Sequence, residues 1–243
     1  MSTPIHNPES RWDDAFGKAM MYETDFRYID RKTKARYVWL KYRGILQGRI
    51  LDVGADACYL REHVSPGTDY LGIGLGGGVD QVVNLEKELI PFPARAFDCV
   101  LCLDVLEHIE NIHAVFDDVC RVTKHYAVIS LPNAWLDFYN MLRHGEYQQG
   151  QPMKFYGLPV EPPTDRHKWF FSADEAKAFV TYRASANKMR ILQMDHEAWS
   201  VEGYGWKNAV RTWARNILLR SSLNVENLYA GTLWVVLEKE SRG

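Results

Sequence analysis

Between Arg49 and Leu131 the sequence alternates short apolar runs with helical stretches, and this alternation restricts the fold more than any other feature. Arg49-Ile50-Leu51-Asp52-Val53-Gly54 is a brief apolar run stopped by glycine, the pattern of a buried strand entering a turn. Tyr70-Leu71-Gly72-Ile73-Gly74 predicts a second strand and Gln81-Val82-Val83-Asn84 a third. Ala96 to Leu103 is the clearest strand, apolar on both faces, and Tyr126 to Leu131 is the next, stopped by Pro132. Between them, residues 57 to 64 are expected to be helical. Residues 112 to 123 carry Val115, Phe116, Val119 and Val122 at three- and four-residue spacing, which predicts an amphipathic helix. Strands and helices in alternation call for a parallel sheet covered on both faces.

The rhythm stops at Pro132. Residues 132 to 171 are rich in proline and aromatic side chains and read as a long irregular insertion of the functional kind. Ser172, with Glu175 three residues later, is a capping-box pattern and predicts a helix start. Arg190 to Met194 and Thr232 to Glu238 predict two more strands, with a second insertion, 197 to 229, between them. Residues 11 to 43 mix aromatic and charged side chains and read as one or two helices forming an outer layer.

Composition removes several classes of protein. The 243 residues are 47% hydrophobic, enough for a proper core, and 29 basic residues nearly balance 31 acidic ones. Wholesale coating of nucleic acid does not fit that balance. No run approaches the ~18 apolar residues of a membrane-spanning helix. Met1 to Arg11 lacks the order of a secretory signal, and four cysteines are too few for a disulfide scaffold. A soluble cytoplasmic protein with reduced thiols is the expectation. Cys99 and Cys102 have zinc-like spacing, but residues three apart on a strand face opposite ways, so both are expected in the core and no metal site is expected.

The turn after Gly54 carries the most chemical information. A strand ending in glycine lets a ligand approach the backbone, at the carboxyl end of the sheet where such folds bind small molecules. A dinucleotide asks for glycine two and five positions on, so that its pyrophosphate can rest on a helix N-terminus. Those positions hold Asp56 and Tyr59. A carboxylate there repels a pyrophosphate and a tyrosine crowds it, whereas a cationic, phosphate-free ligand suffers no such repulsion.

At this point the chain resembles the class I S-adenosylmethionine-dependent methyltransferases. Leu51-Asp52-Val53-Gly54 resembles their first motif. Asn84-Leu85-Glu86 with Ile90-Pro91-Phe92-Pro93 resembles the segment beside the adenine, and Phe97 through Ile109 resembles the fourth-strand motif. Trp169-Phe170-Phe171-Ser172 fits the fifth helix of many members. The resemblance implies an α/β, Rossmann-like sheet of seven mostly parallel strands with helices on both faces and the last strand antiparallel. One domain over 1–243 would then hold a helical layer (1–45), a cofactor-binding half (46–131) and two substrate-side insertions (132–171, 197–229). It also implies S-adenosylmethionine as cofactor. Asp52, Gly54 and Asp56 would surround its methionine part. Asn84 and Leu85 would meet the adenine, Leu85 through its backbone amide. Leu103 and Asp104 would lie near the transferable methyl.

Two positions depart from the pattern. Of three glycines typical of the first turn only Gly54 remains, and Gly74 stands where an acid pairs with the ribose. Asp80, beyond Gly76-Gly77-Gly78, is the residue that reaches back in its place. Those departures favour, as an alternative, a non-catalytic binding or regulatory protein on a methyltransferase scaffold. Methyl transfer needs alignment of the acceptor and exclusion of water, and a base only where the acceptor is protonated. Asp104, His108, Asp165 and His167 are the candidates. The acceptor is expected to be a small molecule or a glycan-type compound, the latter from a loose similarity of residues 156 to 172 to methyltransferases of surface-polysaccharide pathways.

Residues 203 to 220 contain no acid. Lys207, Arg211, Arg215 and Arg220 alternate there with Trp206, Val210, Trp213, Ile217 and Leu218 at helical spacing. Such a helix either packs on the core with solvated arginines or touches a phosphate-bearing acceptor or an anionic membrane surface.

Overall fold

The structure, a computed structural model, describes residues 22–144, 156–158, 160–163, 165–197 and 205–240. Seven strands form one sheet: β1 (Arg49–Val53), β2 (Asp69–Gly74), β3 (Gln81–Val82), β4 (Phe97–Leu103), β5 (Thr123–Leu131), β6 (Met189–His196) and β7 (Leu233–Lys239). Their order is β3-β2-β1-β4-β5-β7-β6, with β7 antiparallel to both its neighbours and the other pairs parallel. This is the expected Rossmann-like arrangement. The chain order reverses between β1 and β4, and the carboxyl ends of those two strands open the crevice where such sheets bind ligands.

Among the described residues six helices accompany the sheet: α1 (Arg31–Tyr42), α2 (Ile112–Val122), α3 (Ala134–His144), α4 (Ala173–Ala186), α5 (Trp206–Leu219) and α6 (Val225–Tyr229). Each sheet face buries its own core. Val53, Val100, Cys102, Ile129 and Val235 pack with Phe116 and Val119 of α2 and Val180 of α4. Ile50, Cys99, Leu101, Val128 and Trp234 pack with Tyr37, Val38 and Tyr42 of α1. Cys99 and Cys102 thus lie in different cores, and all four cysteines are buried thiols. Burial of such side chains contributes about 1.5–3 kcal/mol each, so both layers hold the sheet in place.

The local signals acted largely as expected. Ser172 Oγ accepts from Glu175 N and the Glu175 side chain accepts from Ser172 N, so the capping box that starts α4 is complete. Two expectations need correction. Residues 57–64 form only a 3-10 turn, Tyr59–Glu62, because Asp56 and Cys58 have left-handed φ of 50° and 54° and break any regular helix start. The 132–171 insertion is not wholly irregular. It opens with α3, where the Asn133 side chain accepts from Trp135 N and donates to the carbonyls of Asn227 and Ala230, tying the helix start to the far insertion. The part of the expected N-terminal helical layer before residue 22 lies outside the described residues. Among the described residues no helix is long and apolar enough to cross a membrane.

Candidate functional site

A cavity of about 550 Å³ opens at the carboxyl ends of β1 and β4, in the range of small-molecule sites. Asp52, Gly54 and Asp56 line one side, Leu103, Asp104, Glu107 and His108 another, His167 and Asp137 a third, and Arg31 and Lys34 of α1 a fourth.

The first turn shapes the floor. Gly54 has φ +76° and its amide donates to Ile73 O at 2.8 Å. A Cβ added there would lie 2.2 Å from Val105 Cγ2, so only glycine fits both the backbone angle and the space. Asp52 precedes it at the end of β1. Burial pushes its carboxyl up to about 6, against a hydrogen bond from the Tyr70 hydroxyl at 2.5 Å that lowers it. Asp56 pairs with Arg31 at 2.6 Å.

Asp104 follows β4 directly, with a left-handed φ of 51°. Burial alone would raise its carboxyl, but the Lys34 ammonium beside it and the Ser130 hydroxyl, donating at 2.5 Å, hold it below the usual range. The turn Leu106–His108 follows. The segment carrying His167 is fastened onto that turn, since Lys168 N donates to Glu107 O at 2.8 Å and Trp169 Nε1 to Ile109 O at 2.8 Å. The rings of His108 and His167 consequently meet edge to face, with centroids 4.5 Å apart. His108 Nδ1 lies 2.7 Å from Asp165 and His167 Nδ1 2.6 Å from the Tyr156 hydroxyl. Tyr156 also stacks edge-on against Phe170, and Phe170 against Phe138, an aromatic cluster that touches the cavity residue His167 through Tyr156.

Seven of the residues expected at the site therefore come together: Asp52, Gly54, Asp56, Leu103, Asp104, His108 and His167. Four others do not line the cavity: Asp80, Asn84, Leu85, and Asp165, which stands behind His108. Asp80 does reach back, but to the backbone: its carboxylate accepts from Gly72 N at 2.7 Å and pairs with Arg61, and it is not among the residues lining the cavity. Leu85 packs into the core, and the Asn84 side chain accepts from Glu86 N. A carboxylate is also missing at Gly74, where an added Cβ would sit in ordinary contact with Gly54 Cα at 3.6 Å.

Four charged residues that the sequence did not single out also line the cavity. Arg31 and Lys34 come from α1, Asp137 from α3, and Glu107 from the turn after β4. Burial pushes the Asp137 carboxyl up to about 6 and pushes Glu107 well above the usual carboxylate range, with Asp104 adding to the latter. Five carboxyl groups against two cations make the cavity hospitable to a positive ligand and hostile to a pyrophosphate.

Comparison with known proteins agrees with this fold. The model of a family described as methyltransferase domain matches residues 23–181, well over half of the chain. A ubiquinone biosynthesis O-methyltransferase from Hahella chejuensis is 26% identical over 143 residues, covering 50% of this chain and 60% of that protein, so the match spans less than two thirds of the relative. Among solved structures, the [4+2]-cyclase SpnF superposes with a TM-score of 0.52 at 14% identity, covering 95% of this chain and 92% of its own. An S-adenosylmethionine-dependent methyltransferase from Archaeoglobus fulgidus gives 0.51 at 15%, covering 86% and 94%. The chain belongs to the methyltransferase domain family, enzymes whose methyl donor is S-adenosylmethionine.

Proposed function

We propose that this protein methylates a hydroxyl group on a small, ring-bearing acceptor, phenolic or sugar-like. The observation that carries the reading is Asp137, a carboxylate with no charged neighbour shifting it, tuned by burial to about 6 inside the cavity. A hydroxyl must lose its proton as it attacks, and a base poised near neutral pH is suited to take it. Tyr156, Phe170 and Phe138 form an aromatic cluster joined to the cavity through His167, apolar surroundings that suit a ring-bearing acceptor.

The residues present fit the amino-acid half of S-adenosylmethionine. Arg31 and Lys34 are cations that would take its carboxylate, and Asp52, Asp56 and Asp104 would face its ammonium and sulfonium around the bare backbone of Gly54. No acidic side chain stands at the end of β2, so the ribose would rely on backbone groups there. When bound, the cofactor supplies an electrophilic methyl on a sulfonium. The chain's own part is to hold the acceptor oxygen in line, accept its proton on the Asp137 carboxylate and exclude water through α1 and the His167 segment. Incubation with methyl-labelled S-adenosylmethionine and a panel of catechols, phenols and sugars tests the reading. Label in a hydroxyl-derived ether is expected. Label carried only by amine or thiol acceptors in a parallel panel overturns it.

A second feature supports a contact with anionic membranes. On α5, Trp206, Val210, Trp213 and Ile217 form one stripe that is more than half exposed at every position, and Leu218 and Leu219 extend it. Lys207 and Arg211 flank the stripe, while Thr212 on the opposite side is the buried contact with the fold. Arg215 is less available, lying over the Tyr139 ring and donating to Tyr229 at 3.2 Å, and Arg220 caps the helix end. Exposed tryptophans beside basic residues match the chemistry of a helix resting in a lipid interface.

A further inference from the structure

We infer that the acceptor end of the cavity is a binding site for one divalent transition-metal ion, held by Glu107, His108 and His167. These residues each offer a ligand atom, and the three atoms lie within 4.8 Å of one another. Glu107 is fully buried, yet neither of its carboxylate oxygens reaches a hydrogen-bond partner. An unmet buried carboxylate is costly, by about 1–3 kcal/mol or more for a charged group. Protonation does not remove the cost, because the added hydroxyl would itself lack an acceptor. A cation between Glu107 and the two imidazoles does.

The surroundings are those of prepared ligands. His108 Nδ1 is tied to Asp165 at 2.7 Å, and its Nε2 is turned to within 3.8 Å of Glu107 Oε1. His167 Nδ1 is tied to the Tyr156 hydroxyl at 2.6 Å. Metal-binding histidines characteristically use one nitrogen for the ion and the other for a carboxylate or similar outer partner, which fixes the ring and its tautomer. Lys34 is the opposing positive charge, and it is engaged by Asp104. Asp104, Glu107 and Asp165 outnumber it around the site.

Two imidazoles with one carboxylate favour zinc, manganese, iron or cobalt over calcium and magnesium, which prefer all-oxygen shells. Three protein ligands leave coordination positions open, and they face the cavity. An oxygen-bearing acceptor would fill one of them. That last step rests on the hydroxyl reading above; the metal site itself does not.

The test is titration of chelator-treated full-length protein with Co²⁺, read by its visible ligand-field bands, and with Zn²⁺ and Mg²⁺ by calorimetry. One Co²⁺ or Zn²⁺ per chain is expected, with weak Mg²⁺ binding. Glu107→Gln and His167→Ala should abolish the bands. Asp165→Asn, at a half-exposed position, should weaken affinity roughly 10–100-fold while circular dichroism stays unchanged. Absence of saturable Co²⁺ and Zn²⁺ binding, or binding that all three variants leave intact, overturns the proposal. S-adenosylhomocysteine titrated into the same chelated samples reports on the methyl-donor pocket separately, so loss of one does not imply loss of the other.

Discussion

Lys34 in α1 pairs with Asp104 at the end of β4, closing the cavity across 70 residues of sequence. One partner comes from the N-terminal layer and the other from the end of a central strand, and both line the cavity. The same ammonium is thus placed to take a ligand carboxylate in exchange for Asp104. Lys34→Gln should weaken S-adenosylhomocysteine binding roughly ten- to hundred-fold, the worth of one charge-assisted contact. Calorimetry measures this directly, and unchanged affinity would remove Lys34 from the ligand site.

Asp52 gives a pH-dependent stability with a definite sign. Its folded carboxyl, at about 6, lies above the ordinary aspartate value of 3.8. Between those values the folded state holds more protons than the unfolded one, so this group's contribution to stability declines as pH rises from about 4 to 6. Asp137 and Glu107 act in the same direction, so the test is a difference. Urea unfolding of Asp52→Asn should show a gain over the parent that grows across that window. A constant offset between the two would contradict the assignment.

How far the sequence reveals this architecture depends on the range of the forces involved. The strands Arg49–Val53 and Phe97–Leu103 are legible because burial on both faces leaves a continuous apolar run. The start of α4 is legible because Ser172 and Glu175 satisfy each other locally. Helix α3 is hidden by its setting: Pro132 and a loop rich in proline mask a start whose Asn133 side chain is fixed by carbonyls more than ninety residues away. The site divides the same way. Asp52, Gly54 and Asp104 follow from a strand and its turn. Arg31 and Lys34 arrive from a separate helix, and Asp137 rides on the helix the pattern concealed. Glu107 is recognisable only once the fold leaves its oxygens unpartnered.

Gly54→Ala tests the floor of the cavity. The substitution faces both a φ of +76° and a contact of 2.2 Å with Val105 Cγ2. A loss of about 1–3 kcal/mol in urea unfolding is expected. The double variant Gly54→Ala/Val105→Ala should recover part of it, and no recovery would place the strain elsewhere.

The basic flank of α5 predicts salt-sensitive lipid binding. The parent should co-sediment with vesicles containing phosphatidylglycerol and not with pure phosphatidylcholine. Lys207→Gln/Arg211→Gln should lose about 1 kcal/mol per charge, and Trp213→Ala should weaken binding even in low salt. Equal sedimentation with both lipids would argue for apolar contact without charge recognition.

Asp137→Asn addresses the proton acceptor. Transfer to a hydroxyl acceptor should slow by about 10²–10⁴-fold, with S-adenosylhomocysteine affinity preserved and the rise of rate through about pH 6 abolished. A variant that retains that rise places the base on another group.

Calorimetric titration of the purified chain with S-adenosylhomocysteine bears most directly on the cleft beside Gly54. One saturable site per chain is expected, weakened in both Arg31→Gln and Lys34→Gln. Absence of binding in the well-folded parent would contradict the account at its centre.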